Sequence, residues 1–285
     1  MSRYRLLREA VISEGIVGED QLRIPPAATD EELLLVHSAD YIERVTRGTL
    51  SRDEVRRIGF PWTPEMVERS RRSTGATIAA TQTALESGLG INLAGGTHHA
   101  FRDRGAGYCV FNDVAVAIRL HQARGQLRRA VVIDLDVHQG DGTASIFRDD
   151  PDVFTASLHG RKTFPCRKQQ GSFDLELEPN TGDEAYLRAV DELLSSLPDS
   201  SFDIAYFLAG ADPFAGDVLG GMAVTQAALR QRDQKVFDWC RQRRVPLVLT
   251  MAGGYAHDVR DIVAIQANTV RSAIENWRVQ PDQPS

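Results

Sequence analysis

No stretch of this 285-residue chain is apolar over anything near the roughly 20 residues that a membrane-crossing helix needs. The N-terminus, MSRYRLLREAV, lacks the uninterrupted apolar core of a signal peptide, so a cytoplasmic protein with no membrane partner is expected. Cysteine is scarce. Cys109, Cys166 and Cys240 are far apart and form no CxxC pair, which excludes a disulfide scaffold and suits a reducing compartment. No basic block or aromatic-interleaved Lys/Arg stripe occurs, and the formal charge is -6, so nucleic acid is not expected as a direct partner, although an acidic protein can still act on basic peptides. Internal repeats, low-complexity tracts and long Pro/Gly/Ser linkers are also missing. One domain spanning 1–285 is expected, with roughly 280–285 (within QPDQPS) as a tail.

What remains is a chain of average globular composition, 42% hydrophobic and 25% charged, long enough to bury a substantial core. Tyr4 to Gly15 places Leu6, Leu7, Ala10 and Val11 at helical spacing and ends on a glycine, after which Pro25 and Pro26 break the chain. Ser38 to Val45 and Thr63 to Ser87 also read as helices; in the second, Thr63 caps, Pro64 suits the first turn and Gly88 the end. Beyond Gly88 short apolar runs alternate with helical patterns: GINLAGG, a helix near Val114 to Gln122, AVVIDLD, VFTASLHG, a helix near Ala185 to Leu197, DIAYFLAGAD, a helix near Gln226 to Arg243, and VPLVLTMAGGY. Such alternation predicts an α/β fold, a mostly parallel sheet with helices on both faces.

Functional groups in such folds collect just past the carboxyl ends of the strands. Here Leu93 runs into GGTHHAF, Ile133 into DLDVHQGDG, Leu208 into AGADP and Leu249 into TMAGGY. His98, His99, Asp134, Asp136, His138, Asp141, Asp212 and Tyr255 are thereby directed to one edge of the sheet. In DLDVHQGDG, residues two apart on an extended chain point to one side, so Asp134, Asp136 and His138 are expected to converge. Like charges converge at a buried strand end only if a cation neutralises them, and an Asp/His/Asp set with an open position suits zinc. Alone, a DxDxH is as well explained by turn carboxylates and a packed histidine; Asp212 supplies the third donor that changes the balance. Adjacent His98 and His99 suit proton transfer, with Asp134 and Asp141 as the carboxylates that orient them, and the Tyr255 phenol can donate to a developing oxyanion. A lone HH or GGY carries little weight.

Taken in order, GTHHAF, GAGYCVFND, DLDVHQGDGT, TASLHG, GADPFAGDVLGG and AGGY resemble the zinc-dependent histone deacetylase superfamily over nearly the whole chain. Gln139 after His138, with FPWTPEMVERS and NTGDEAYL, looks most like the class IV branch and its bacterial relatives. The resemblance implies the arginase/deacetylase fold, one zinc on Asp136, His138 and Asp212, and hydrolysis of an N-acyl amide. It implies roles for His99 as general base and acid, His98 as its electrostatic partner, Asp134 and Asp141 behind His98 and His99, and Tyr255 as carbonyl polariser. Gly107 and Tyr108 would line the acyl tunnel, and Asp134 and Ser157 would serve a potassium ion. Two departures are expected to matter. The strand and rim loop that relatives carry before the first helix are missing ahead of Tyr4, and Cys166 stands where an aromatic residue is more usual.

Acylated lysine, or another acylated amine such as an acetylpolyamine, is the expected substrate partner, and oligomeric state stays open. A ureohydrolase of the same fold is disfavoured because Gly140 stands where its two-manganese site needs a further Asp, and GADP lacks its DxD pair. A non-catalytic acyl-lysine binding module is disfavoured because His99, Tyr255 and all three expected ligands are present.

Overall fold

The computed structural model describes residues 2–199 and 201–278; the tail expected near 280–285 lies outside the described residues. Its first part is helical: α1 (Ser2–Ser13), α2 (Asp30–Leu34), α3 (Ala39–Arg47), α4 (Arg52–Ile58) and the long α5 (Pro64–Ser87). Strands and helices then alternate through β1 (Leu89–Asn92), α6 (Asp113–Ala123), β2 (Ala130–Asp134), α7 (Asp141–Ile146), β3 (Val153–Gly160) and β4 (Phe173–Leu177). The remainder comprises α8 (Asp183–Ser196), β5 (Ile204–Leu208), α9 (Gln226–Arg243), β6 (Leu247–Thr250) and α10 (Val259–Arg278).

All six strands run parallel, in the order β1-β6-β5-β2-β3-β4. A parallel sheet must be covered on both faces, and AVVID of β2 and IAYFL of β5 are buried at every position. Their side chains alternate between two cores. Val131, Ile133, Ala205, Phe207, Leu247 and Leu249 pack with residues of α1, α8, α9 and α10. Ala130, Val132, Ile204, Tyr206, Leu208 and Val248 pack with residues of α2 to α6. From β2 the chain steps outward to β3 and β4, then returns to β5 on the other side of β2 and proceeds to β6. The connections after β2 and β5 therefore part in opposite directions, which opens a crevice at the carboxyl ends of this neighbouring pair.

Expected helices recur within a few residues. In α5 the Thr63 hydroxyl accepts from the Met66 N–H at 3.1 Å and Gly88 closes the helix in the left-handed region, as the Thr-Pro…Gly punctuation requires. The strands stop earlier than the apolar runs do. Because β2 ends at Asp134, Asp136 and His138 lie in the loop beyond it and not on one strand face with Asp134. Five elements fall outside the expectations: the short helices α2, α4 and α7, the edge strand β4, FDLEL, whose acidic alternate positions disguise it, and α10, whose Ile262, Ile265, Val270 and Ala273 do carry a buried helical spacing.

His37 joins the helical part to the rest of the fold. Its Nδ1 lies 2.9 Å from the Phe101 carbonyl, and its Nε2 accepts the Asn112 N–H at 3.0 Å, which fixes a neutral imidazole. Burial pushes its pKa down to about 4, although the Phe101 and Arg102 carbonyls work the other way. A histidine depressed in the folded state adds stability in full above the unfolded pKa near 6.5, and loses it as pH falls from there toward 4. His37→Gln is thus expected to flatten the fall in unfolding free energy between pH 7.5 and 5.5 by about 1 kcal/mol relative to the parent. Denaturant melts at the two pH values check this, and equal slopes would contradict it.

Candidate active site

Asp136 and His138 follow β2 and Asp212 follows β5, so the three approach from adjacent strands. Their ligating atoms lie within 4.8 Å of one another. His138 Nδ1 is 3.0 Å from Asp136 Oδ1 and 3.2 Å from Asp212 Oδ2. Backbone N–H groups hold the carboxylates: Val137 donates to Asp212 Oδ1 at 2.9 Å and Gly253 to Asp136 Oδ2 at 2.7 Å. Gly253 cannot be replaced here without movement, because a Cβ would stand 2.0 Å from Asp212 Oδ2. Behind the second loop, buried Arg232 donates to the Gly210 carbonyl at 2.5 Å and pairs with Asp233.

Both carboxylates are buried, with no Lys or Arg ion pair to either among the described residues. Burial and then the neighbouring Asp136 raise the pKa of Asp212; despite burial, His98 and His138 hold Asp136 well below the usual range. Burial also opposes charge on His138, yet its hydrogen bonds to Asp136 and Asp212 push its pKa up to about 11. A proton on the imidazole thus supplies the positive charge that two carboxylates demand. A divalent cation would satisfy the same demand, and the donor set, two carboxylates and one imidazole, fits zinc.

Two histidine–carboxylate pairs stand beside this cluster. His98 Nδ1 lies 2.6 Å from Asp134 Oδ2 and His99 Nδ1 lies 2.7 Å from Asp141 Oδ1, with the two rings 4.1 Å apart. Their environments separate them. Against the effect of burial, Asp134 and then Asp136 raise His98 to about 9, whereas burial and the charge on His98 lower His99 to about 4. The His98–Asp134 pair thus favours keeping a proton, whereas its surroundings favour the neutral form of His99. Of the three DLDVHQGDG groups expected to converge, Asp136 and His138 meet Asp212, while Asp134 goes to His98; Asp141 lies behind His99.

Asp134 also pairs in register with Ser157 of β3, and both line a small cavity of about 10 Å³, while Ser157 Oγ meets His159 Nδ1 at 2.9 Å. Gly107 lies in the wall of the mouth, where a Cβ would meet His99 Cδ2 at 2.5 Å and Phe164 Cε1 at 3.0 Å. Tyr108 is 43% exposed and faces Tyr255, itself 37% exposed, at 5.5 Å between rings. Burial keeps the Tyr255 phenol above its ordinary pKa, opposed by the Arg3 guanidinium 5.1 Å over its ring, so the group remains a donor.

Several residues at the site are not among those expected. Phe164 lays its ring against His99 at 4.8 Å, so the wall aromatic stands two residues before the exposed Cys166 and not in its place. Gln139, read from the sequence only as a mark of lineage, donates to the Gln169 carbonyl at 2.7 Å and Asp174 at 2.9 Å, and accepts the Gln169 N–H at 2.8 Å. It pins the loop that carries Phe164. Arg3 of α1 donates to the Gly254 carbonyl at 2.5 Å and the Ala252 carbonyl at 2.8 Å. Asp217 takes the N–H groups of Tyr255 at 2.5 Å, Leu219 at 2.8 Å and Gly220 at 2.9 Å. The GD of GADPFAGDVLGG was the available signal for it.

A carboxyl-edge site at the switch point of a parallel sheet is common to open α/β enzymes, and the likeness to solved deacetylase structures makes this six-stranded example the arginase/deacetylase fold. The sequence matches the histone deacetylase domain over residues 1–270, and the chain belongs to that family. It is a hydrolase that acts on amides. It is 41% identical over 267 residues to an uncharacterised protein of Picosynechococcus, covering 92% of this chain and 88% of the other. With a histone deacetylase-like amidohydrolase of Pseudomonas aeruginosa it shares 31% identity over 275 residues, 88% of this chain and 70% of that one. The crystal structure of a deacetylase homologue from Aquifex aeolicus superposes with a TM-score of 0.81 at 25% identity, covering 96% of this chain and 82% of the other.

Asp217 fixes the backbone of Tyr255, and an amide in its place would set an N–H donor against an N–H donor. Asp217→Asn is expected to lower turnover of an amide substrate about tenfold while metal content stays unchanged. Undiminished turnover would show that the Tyr255 loop holds its position without this carboxylate.

Proposed function

We propose that the protein removes an acyl group from an N-acyl amine, acyl-lysine above all, within one catalytic domain in the cytoplasm. The observation that carries this reading is the junction of two units: a buried Asp136, His138 and Asp212 cluster, and two adjacent histidines, each on its own carboxylate. Asp136, His138 and Asp212 would hold zinc, which as a Lewis acid supplies polarisation of the carbonyl and acidification of water. His99, neutral and oriented by Asp141, takes the proton from the attacking water at Nε2 and returns it to the leaving amine. Cationic His98, fixed by Asp134, keeps His99 from protonating early and favours the developing negative charge. Tyr255 donates its phenolic hydrogen to the carbonyl oxygen as that charge grows. Asp134, Ser157 and the cavity between them support a potassium site beside the loop, where a monovalent cation would brace the backbone of DLDVH.

The mouth supports a lysine-like substrate: Tyr108 and Phe164 line it, and exposed Val218 and Leu219 lie on the loop bonded to Tyr255. A two-manganese ureohydrolase site is unsupported, since among the described residues Asp136, His138 and Asp212 form the one metal-capable group and Asp134 is taken by His98.

Asp212→Ala is expected to abolish zinc retention, read as zinc per chain by elemental analysis after dialysis; one zinc still bound would overturn the ligand set. Tyr255→Phe is expected to lower turnover of an acetyl-lysine peptide by about two to three powers of ten with little change in folding. Unchanged turnover would remove the phenol from the mechanism.

A further inference from the structure

We propose that the mouth of this site selects acyl-lysine set among acidic residues, through a cationic rim made by Arg57, Lys162 and Arg167. The inference rests on the acyl-lysine reading above. The loop over 161–172, RKTFPCRKQQGS, holds four cations and no carboxylate. It walls the site, since its Phe164 ring lies 4.8 Å from His99 and its Gln169 backbone is bonded to Gln139. Two of its cations are already engaged: Arg161 pairs with Glu176 at 3.0 Å and with Glu178, and Lys168 Nζ donates to the Thr163 carbonyl at 2.8 Å. Lys162 and Arg167, on either side of Phe164, are exposed and have no ion-pair partner among the described residues.

Arg57 belongs to the adjoining wall. The end of α4 underlies Gly107 and Tyr108, whose N–H groups donate to the Arg57 carbonyl at 3.1 Å and the Ile58 carbonyl at 2.7 Å. Arg57 too is exposed and without an ion-pair partner among the described residues. Carboxylates on the same segments of chain as Arg57, Gly107 and Tyr255 are matched within the protein: Asp53 by Arg56 at 2.5 Å, Glu54 by Arg44, Asp103 by Arg104 at 2.9 Å, and Asp258 by Arg260 at 2.5 Å. Asp217 is taken up by backbone N–H groups. Although the chain has a net charge of -6, the three cations Arg57, Lys162 and Arg167 on the segments beside the mouth have no ion-pair partner among the described residues. Apolar walls of low dielectric strengthen their field. An extended substrate advances about 3.4 Å per residue, so side chains one to three positions from the acyl-lysine lie within about 10 Å of it and pass over the walls of the mouth. Carboxylates there would be attracted, and lysines or arginines repelled.

The test uses the zinc-loaded protein and three acetyl-lysine peptides that differ only in having glutamate, glutamine or lysine at the three flanking positions on each side. At about 0.05 M salt the glutamate peptide is expected to exceed the lysine peptide about tenfold in kcat/KM, and the preference should collapse near 1 M. In the double variant Lys162→Glu, Arg167→Glu the order should reverse, with turnover of a small uncharged acetyl amide unchanged. Equal use of the three peptides, or a preference indifferent to salt and to charge reversal, overturns the cationic rim. Hydrolysis of acylated small amines with no hydrolysis of any peptide overturns the acyl-lysine reading instead. Fluorescence anisotropy of the labelled peptides then decides the rim on its own: tighter binding of the glutamate peptide sustains it, and equal binding overturns it.

Discussion

The constraint on which the site depends is the burial of two carboxylates, Asp136 and Asp212, side by side in one crevice. Neither can ionise there without a cation close by, because the repulsion between them and the cost of desolvation act together. The protein arranges for one. Val137 and Gly253 aim N–H groups at the carboxylates, Gly253 leaves no atom in their space, and His138 completes a set that binds a proton tightly and would bind a dication more tightly still. The buried Arg232–Asp233 pair anchors the carbonyl of Gly210 behind this loop, so the position of Asp212 is braced from the core outward.

From the same electrostatics follows the division between the two histidines. His98 lies near Asp134 and, at 3.9 Å, Asp136; its neighbour faces Asp141 alone and the positive ring of His98. Adjacent residues of one type thus acquire pKa values of about 9 and about 4. A pair of like groups pushed apart in this way is what general acid–base chemistry requires. The mouth is held with comparable care: Asp217 grips the Tyr255 backbone, Arg3 its preceding carbonyls, and Gln139 the loop of Phe164. Net charge alone points to an acidic surface, whereas Arg57, Lys162 and Arg167 on segments beside the mouth have no ion-pair partner among the described residues.

Much of this was legible in the chain itself. Alternation of apolar runs with helical periodicity specifies an α/β sheet, because burial on both faces requires it, and the motifs at the strand ends name the chemistry. The long helix α5 was legible from its cap and its glycine stop, Thr63 and Gly88. Less was legible where the signal is shared or weak. FDLEL pairs along an edge and needs few apolar residues, and Phe164, Gln139, Arg3 and Asp217 act through contacts with residues distant in sequence.

By itself, then, the sequence determined the class of fold, the strand ends that carry polar groups, and the residue types on offer. Only the tertiary structure decided their partners. DLDVHQGDG has four groups at short spacing, and periodicity alone assigns Asp134, Asp136 and His138 to one face. The end of β2 at Asp134 frees the following residues to turn, so Asp136 and His138 meet an aspartate from β5, and Asp134 meets a histidine from the loop after β1. That outcome follows from the strand order, which sets β5 against β2 and folds the histidine loop over both, and strand order is a property of the packed sheet, absent from any local run of residues.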